Sequence, residues 1–292
     1  VQTTDPTTGR SSRYVAGNFN VQDLSQRFIA YPGELYVQYK NENHQLKMGR
    51  QTFFSPFMNG QDGRMIPTLF EGAFYKYEKK EKLRFQLGAI NRIAPRSYNG
   101  FENIGQTLGI YPVGRDINGQ GSEYRENTTS DYVALTNLDY QITGDFKVEL
   151  WDYYVDNIFN VLYVKPTYNF KNSGLAFSVE WLLQNRIGEG GNPDPAFQYV
   201  QNETAQIFGA QLSHSLPNGK ISLGYDHITA QGRFLFPREW GREFLFSFQK
   251  RERSEGFGNN HAAVMYYHQN FKFSDQKLKS IFSIGHQWRP SV

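Results

Sequence analysis

The chain has 292 residues, with 31 lysines and arginines against 28 acids, a net charge of +3, no cysteine and 27 glycines. So mild a charge excludes a nucleic-acid footprint, and without cysteine a disulfide scaffold is excluded and a structural zinc site is not expected. No run of eighteen apolar residues occurs, which excludes a helical membrane span.

A mean hydropathy of −0.62 does not exclude a membrane barrel, because half of each strand there faces a wet lumen. Nineteen tyrosines and 24 phenylalanines suit the aromatic girdles of such a barrel. On composition alone a soluble aromatic β-sandwich stands beside it. The chain opens at Val1 without a basic and then apolar leader, so any export signal is expected to have been removed.

Residues 1–33 are polar and turn-rich and read as loop. Residues 34–40 alternate, with Leu35, Val37 and Tyr39 on one face and Glu34, Tyr36, Gln38 and Lys40 on the other. A polar link returns the chain into a second strand, 45–51. Alternation there places Arg50 on the lipid face with Leu46 and Met48, at about 2–4 kcal/mol if it sat at the midplane. A bulge at Gly49 that turns Arg50 inward is the preferred reading; a place at the rim is the other. Residues 52–67 form a loop that Asp62 and Arg64 are expected to pin.

Strands are predicted at 68–78 and 83–90. In the second, Leu83, Phe85, Leu87 and Ala89 point out, and Arg84, Gln86, Gly88 and then Arg92 point in. The first is ambiguous, since Phe70 and Phe74 compete with Ala73, Tyr75 and Tyr77 for the apolar face. A loop of nearly forty residues follows, 91–130, carrying Arg96, Arg115 and Arg125. Loops of that length are usually functional or disordered.

Residues 131–184 hold four extended segments of about ten residues each, the length a tilted strand needs to cross hydrocarbon. Leu175, Phe177, Val179, Trp181 and Leu183 alternate with Ala176, Ser178, Glu180 and Gln184. Pro166 falls inside one segment and predicts an irregular strand there. Four more strands are predicted at 204–216, 220–228, 262–272 and 277–287, with a long segment at 229–260 between the two pairs. The twelve strands are joined alternately by short turns and mostly longer connections. That describes an all-β, transmembrane, up-and-down antiparallel barrel. If the short turns are periplasmic, both chain ends fall on the extracellular side. Residues 1–292 are therefore expected to be a single barrel domain that is incomplete at both ends.

Inward parity collects Lys47, Arg84, Arg92, Lys147, Lys165 and Arg186, opposed by Asp139, Glu149, Glu180 and Asp226. Facing charges in a narrow channel orient a solute and set ion preference; cross-strand pairing that merely solvates the lumen is the plainer reading. A mixed-charge run, Arg238, Glu239, Arg242, Glu243, Arg251, Glu252, Arg253 and Glu255, reads equally as a network at the pore mouth or as a solvated loop. The six histidines have no close metal-ligand spacing. Ser213, His214 and Ser215 raise an outer-membrane lipase as a remote alternative, although such a site needs convergence that spacing does not show.

The run LKMGRQ (46–51), then NGQDGRMIPTLFEG (59–72) and LRFQLGAINRI (83–93), resembles the N-terminal half of OprD-family porins. FPREWGREFLFSFQKRERSEGFG (236–258) resembles a later segment of the same family. The resemblance covers about 34–290, and residues 131–170 and the loop 91–130 match no motif in it. It implies a barrel of about eighteen strands, passive diffusion of small nutrients, often carboxylates, past a basic ladder, and no catalysis and no cofactor. Membrane lipid and small-molecule solutes are then the expected partners. A barrel serving as a docking subunit for partner proteins in an outer-membrane complex is the alternative.

Overall fold

The computed structural model describes residues 32–290 apart from 61–65, 81, 97, 99, 112, 202, 250, 251, 274 and 275. The reading of 1–31 as loop, the Asp62–Arg64 pin and Arg251 therefore lie outside the described residues. Period-two alternation produces one antiparallel sheet of thirteen strands. In chain order these are β1 (Leu35–Lys40), β2 (His44–Gln51), β3 (Leu69–Lys79), β4 (Leu83–Ala94) and the two-residue β5 (Glu102–Asn103). Next come β6 (Val133–Gln141), β7 (Phe146–Val155), β8 (Phe159–Asn169) and β9 (Leu175–Arg186). The last four are β10 (Thr204–Leu216), β11 (Gly219–Ile228), β12 (Asn260–Phe273) and β13 (Gln276–Trp288).

Twelve of the strands pair in chain order, so the wall is up-and-down; β5 lies off this path and pairs only with the end of β4. It escaped the sequence reading because two residues carry no periodicity. β1 and β13 stand at the two ends of the order, and no pairing joins them among the described residues. No helix among the described residues is long and apolar enough to cross a membrane.

The outward face is exposed and apolar, as a lipid-facing wall must be. Val37, Leu212, Leu223 and Ile284 illustrate it. Along β3, β4 and β6 to β8 the inward face changes character, and β9 and β10 continue its apolar half. Toward the long-loop end it carries Phe70, Ile90, Val133, Leu135, Trp151, Tyr153, Phe159, Val161, Tyr163, Leu182 and Ile207, all buried. Toward the short-turn end it carries Lys47, Lys76, Glu78, Arg84, Asp139, Lys147, Glu149 and Lys165. The apolar half is covered by loops that fold into the barrel. Phe57 of loop 52–68 lies 5.7 and 5.4 Å from Tyr153 and Tyr163 of the wall. It also lies 5.7 and 5.3 Å from Phe234 and Phe236 of loop 229–259. Each such fully buried side chain contributes about 1.5–3 kcal/mol.

One connection at the long-loop end is short. β7 and β8 are joined by three residues, 156–158, in which Asn157 takes a φ of 59°. Pro166 behaves as its chemistry requires. It leaves a gap in the β8–β9 ladder between the Val164–Trp181 and Thr167–Ser178 pairs, yet the register on either side is the same.

Two inward assignments are corrected. Pairing runs through Gly49 without a shift against both β1 and β3, so no bulge there turns Arg50 inward. Arg50 keeps the parity of Leu46 and Met48; its Nε donates to Glu71 Oε2 at 2.6 Å, and its guanidinium lies 4.5 Å from the Phe101 ring centroid. The bulge sits instead in β4, where Asn91 is skipped between the Gly72–Ile90 and Glu71–Arg92 pairs. One extra residue reverses parity beyond it. Arg92 is thereby turned off the lumen and exposed opposite Glu71, while Ile93 is buried in its place.

Gly49 has a φ of +127°, and a Cβ there would meet the Leu35 carbonyl oxygen at 2.3 Å. Gly49→Ala is expected to cost about 1–3 kcal/mol from backbone strain, before the clash is counted. The measurement is the temperature at which the folded barrel loses its fast mobility on a detergent gel; an unchanged temperature would contradict the strain.

Candidate functional site

The site is the charged half of the lumen together with the loops that roof it. At the short-turn end, cross-strand register brings five bases and three acids onto adjoining strands. Lys76 Nζ lies 2.8 Å from Glu78 Oε2. Arg84 bridges Glu78 at 3.1 Å and Asp139 at 3.3 Å, and Lys147 approaches Asp139 at 3.6 Å. Lys165 pairs with Glu149 at 2.7 Å, and the Trp151 indole N–H donates to the same carboxylate at 2.9 Å. Lys47 is different. Its amine sits 4.3 Å from the Tyr36 ring centroid, and no carboxylate forms an ion pair with it among the described residues. It lines a cavity of about 190 Å³ with Lys76, Gln86, Phe53 and Phe74.

Lys76 and Glu78 were missed by the sequence reading because the parity of their strand was ambiguous. Phe70 and Phe74 face inward, and that fixes Lys76 and Glu78 on the same side. The opposite wall adds a cavity of about 780 Å³ lined by Lys220, Arg242, His268 and Tyr266 with Phe244 and Phe248 of the loop. Lys220 and His268 pair directly across β11 and β12.

The loop 229–259 crosses the lumen and is tied down at each step. Gln184 acts as a surrogate strand: its Nε2 donates to the Leu235 carbonyl at 2.6 Å and its Oε1 accepts the Leu235 N–H at 2.9 Å. Asn59 does the same for Arg242, at 2.9 and 3.2 Å. The Trp240 indole N–H donates to Thr107 Oγ1 at 2.7 Å. Glu180 Oε1 accepts the Phe246 N–H at 2.7 Å, and Asp226 Oδ2 accepts the Ser247 N–H at 2.5 Å.

The mixed-charge run is a packed network. Arg238 pairs with Glu255 at 2.5 Å, Arg253 with Glu243 at 3.3 Å and Arg289 with Glu252 at 2.8 Å. Glu239 accepts the Gly109 and Tyr111 amides at 3.1 and 3.0 Å. Burial pushes the Glu239 and Glu255 carboxyls above the usual range, against the pull of those amides on the first and of Arg238 on the second. Burial likewise pushes the Tyr124 phenol up to about 12.

The structure does not gather all the loop arginines. Arg96 donates to the Tyr111 hydroxyl at 3.1 Å and helps to hold loop 95–132. Arg115 is bound by its own loop, donating to the Gly119 carbonyl, while Arg233 donates to the Arg115 carbonyl. Arg125 is exposed beside Glu126 at 3.4 Å. Arg186, at the loop end of β9, lies 3.8 Å from Glu189. None of these four joins the ion pairs of the short-turn end among the described residues. Arg115 instead lines a separate cavity of about 330 Å³ with Arg238, Glu239 and Glu255.

Among the described residues no group of three or more His, Cys, Asp or Glu is placed to hold a metal ion. Ser213 and Ser215 alternate with His214 on β10 and so face away from it, and neither pairs with it.

Three comparisons bear on this geometry. The sequence profile described as "OprD: outer membrane porin, OprD family" matches residues 28–274. No curated protein sequence matches the chain. Solved porins of Pseudomonas aeruginosa share its fold. OpdO is 16% identical with a TM-score of 0.62, over 80% of this chain and 57% of that one. OccK8 (OprE) is 14% identical at 0.64, over 80% and 60%. OpdK, solved with vanillate, is 12% identical at 0.65, over 80% and 57%. The chain thus spans about three fifths of the length of the structures it resembles.

Replacing Gln184 by Leu keeps the bulk but strands the buried Leu235 N–H and C=O. Each costs about 1–3 kcal/mol when left unpaired. The variant is expected to insert normally and to be cut by an external protease within residues 229–259 faster than the parent. Equal cutting rates would contradict the surrogate-strand role.

Proposed function

This chain belongs to the OprD family of outer-membrane porins, and on that premise we propose that the whole protein is a passive channel whose lumen favours small anions, carboxylates in particular. It resides in the outer membrane of a Gram-negative bacterium, with lipid on its outer face. The observation that carries the anion preference is the imbalance at the short-turn end. Lys47, Lys76, Arg84, Lys147 and Lys165 face Glu78, Asp139 and Glu149, and Lys47 has no carboxylate partner among the described residues. The paired bases hold position, and the unneutralised charge in a confined channel with low-dielectric walls draws anions in.

A solute carboxylate would replace water around Lys47 and pass along the bases by exchanging partners, each weak enough to release it. That OpdK is solved with vanillate, a carboxylate, supports the direction of this reading without assigning a solute. Asp139 and Glu149 shape the field through their ion pairs, while Glu180 and Asp226 hold the loop that narrows the lumen. Arg96, Arg115, Arg125 and Arg186 act at the loop end, around the mouth.

The packing of loops 52–68 and 229–259 into the apolar half of the lumen favours one second reading, a plugged barrel that docks partner proteins. Stoichiometric co-purification with no conductance steps in planar bilayers would replace the channel by that reading.

Charge reversal separates lining from scaffold. Arg84→Glu, Lys147→Glu and Lys165→Glu are each expected to shift the zero-current potential of the full-length protein toward cations in a salt gradient. Arg92→Glu, turned off the lumen by the bulge, is expected to leave it unchanged. Equal shifts for all four would remove the lumen assignment.

A further inference from the structure

Glu180 of β9 and Asp226 of β11 face each other across Gly209 of β10, which pairs with both residues. Each side chain is 1% exposed. A Cβ on Gly209 would lie 2.0 Å from Asp226 Oδ1 and 2.9 Å from Glu180 Oε1, so the glycine is what lets the two oxygens approach. Glu180 receives two donors, the Phe246 N–H at 2.7 Å and the Tyr163 hydroxyl at 2.6 Å. Asp226 Oδ2 receives the Ser247 N–H at 2.5 Å. Asp226 Oδ1 is buried with no hydrogen-bond donor among the described residues.

Two ionised carboxylates offer only acceptors to each other, and like charges this close cannot both persist away from water. No ion pair among the described residues reaches either group. On β8, Lys165 is engaged with Glu149 of β7, and Tyr163 is already a donor. On β12 the residue opposite Asp226 is Ala262. On the loop, Arg253 pairs with Glu243, and Glu239 takes the amides of Gly109 and Tyr111.

We propose that Glu180 and Asp226 share a single proton, and that this proton latches loop 229–259 to the barrel wall. With the proton in place, one carboxyl donates to the other and the pair presents two acceptors to consecutive loop amides, those of Phe246 and Ser247. Loss of the proton sets two buried anions against each other. They relieve the repulsion by taking up water, and the amides they held are released with the loop. The lumen beneath Phe246 then widens. The pair titrates as a unit, so the release is a single step in pH.

This reading is independent of which solute crosses, although its conductance test rests on the channel reading above. The chain has no cysteine, so Leu245→Cys, at a buried loop position, reports loop release through maleimide labelling of the full-length protein in vesicles. Labelling and single-channel conductance are followed from about pH 5 to 9, the span over which buried carboxyls are known to titrate. Asp226→Asn is the decisive background: its amide can supply the missing donor toward Glu180 while its oxygen still accepts Ser247. Labelling in that background also cancels the thiol's own titration.

The expected result is a step up in labelling and conductance with rising pH in the parent, lost in Asp226→Asn. Gly209→Ala should show the released state at every pH. A step that survives Asp226→Asn unchanged, a parent without a step, or a step removed instead by Glu239→Gln would each overturn the latch. Absence of conductance with an intact labelling step would overturn the channel reading and leave the latch standing.

Discussion

A backbone that enters the lumen must have its N–H and C=O groups satisfied, because those buried there without partners cost as much as lost hydrogen bonds. The structure answers this with side chains in the role of strands. Gln184 pairs with Leu235 as a neighbouring backbone would, and Asn59 does so with Arg242. Carboxyl groups take further amides: Glu239 those of Gly109 and Tyr111, Glu180 that of Phe246, Asp226 that of Ser247. The inward acids nearest the loops are thus committed to holding backbone, and cannot be counted as free charge in the pore.

That commitment explains the division of the inward face. The half that seats loops is aromatic and aliphatic, since Phe57, Phe234, Phe236 and Trp240 need apolar surface to bury against. The half that the loops only partly reach keeps cavities beside Lys47, Lys76 and Lys220, and there the bases collect. Confinement makes their charge matter, because a narrow channel with low-dielectric walls concentrates a field that open water would screen. Ion pairs such as Lys165–Glu149 contribute little to stability when partly solvated. Their effect is to hold the side chains in one geometry, so that the inward face presents a fixed array of charge.

The strands were legible in the sequence because lipid on one side and water on the other impose a strict period of two. Val37, Leu87 and Phe177 announce it wherever the inward neighbour is polar. Legibility failed where that contrast disappears. In β3, inward Phe70 and Phe74 seat a loop and look like lipid-facing residues, so Lys76 and Glu78 were lost with them. Arg92 was misplaced because parity carries only as far as the next bulge, and Asn91 gives no sign of being one. Gly49 looked like the better candidate, yet its positive φ accommodates close packing on Leu35 rather than an extra residue. Loop partnerships such as Trp240 with Thr107 span more than a hundred residues and leave no local pattern.

The same inward charges also fix the register of the wall. A one-residue slip of β7 against β6 and β8 would carry Lys147 and Glu149 to the lipid face and bring Val148 and Leu150 into the lumen. A lysine moved to the bilayer midplane costs about 2–4 kcal/mol, and an acid somewhat less. The loss of Trp151 and Tyr153 from beneath Phe53 and Phe57 would add to it. Alternative registers are therefore penalised on both faces at once. This is why Pro166 is tolerated within β8: it removes ladder bonds, but the pairs on either side, Val164–Trp181 and Thr167–Ser178, already exclude the shifted sheet. The inward charge array and the register of the wall depend on one set of side chains, so a change made to the one also tests the other.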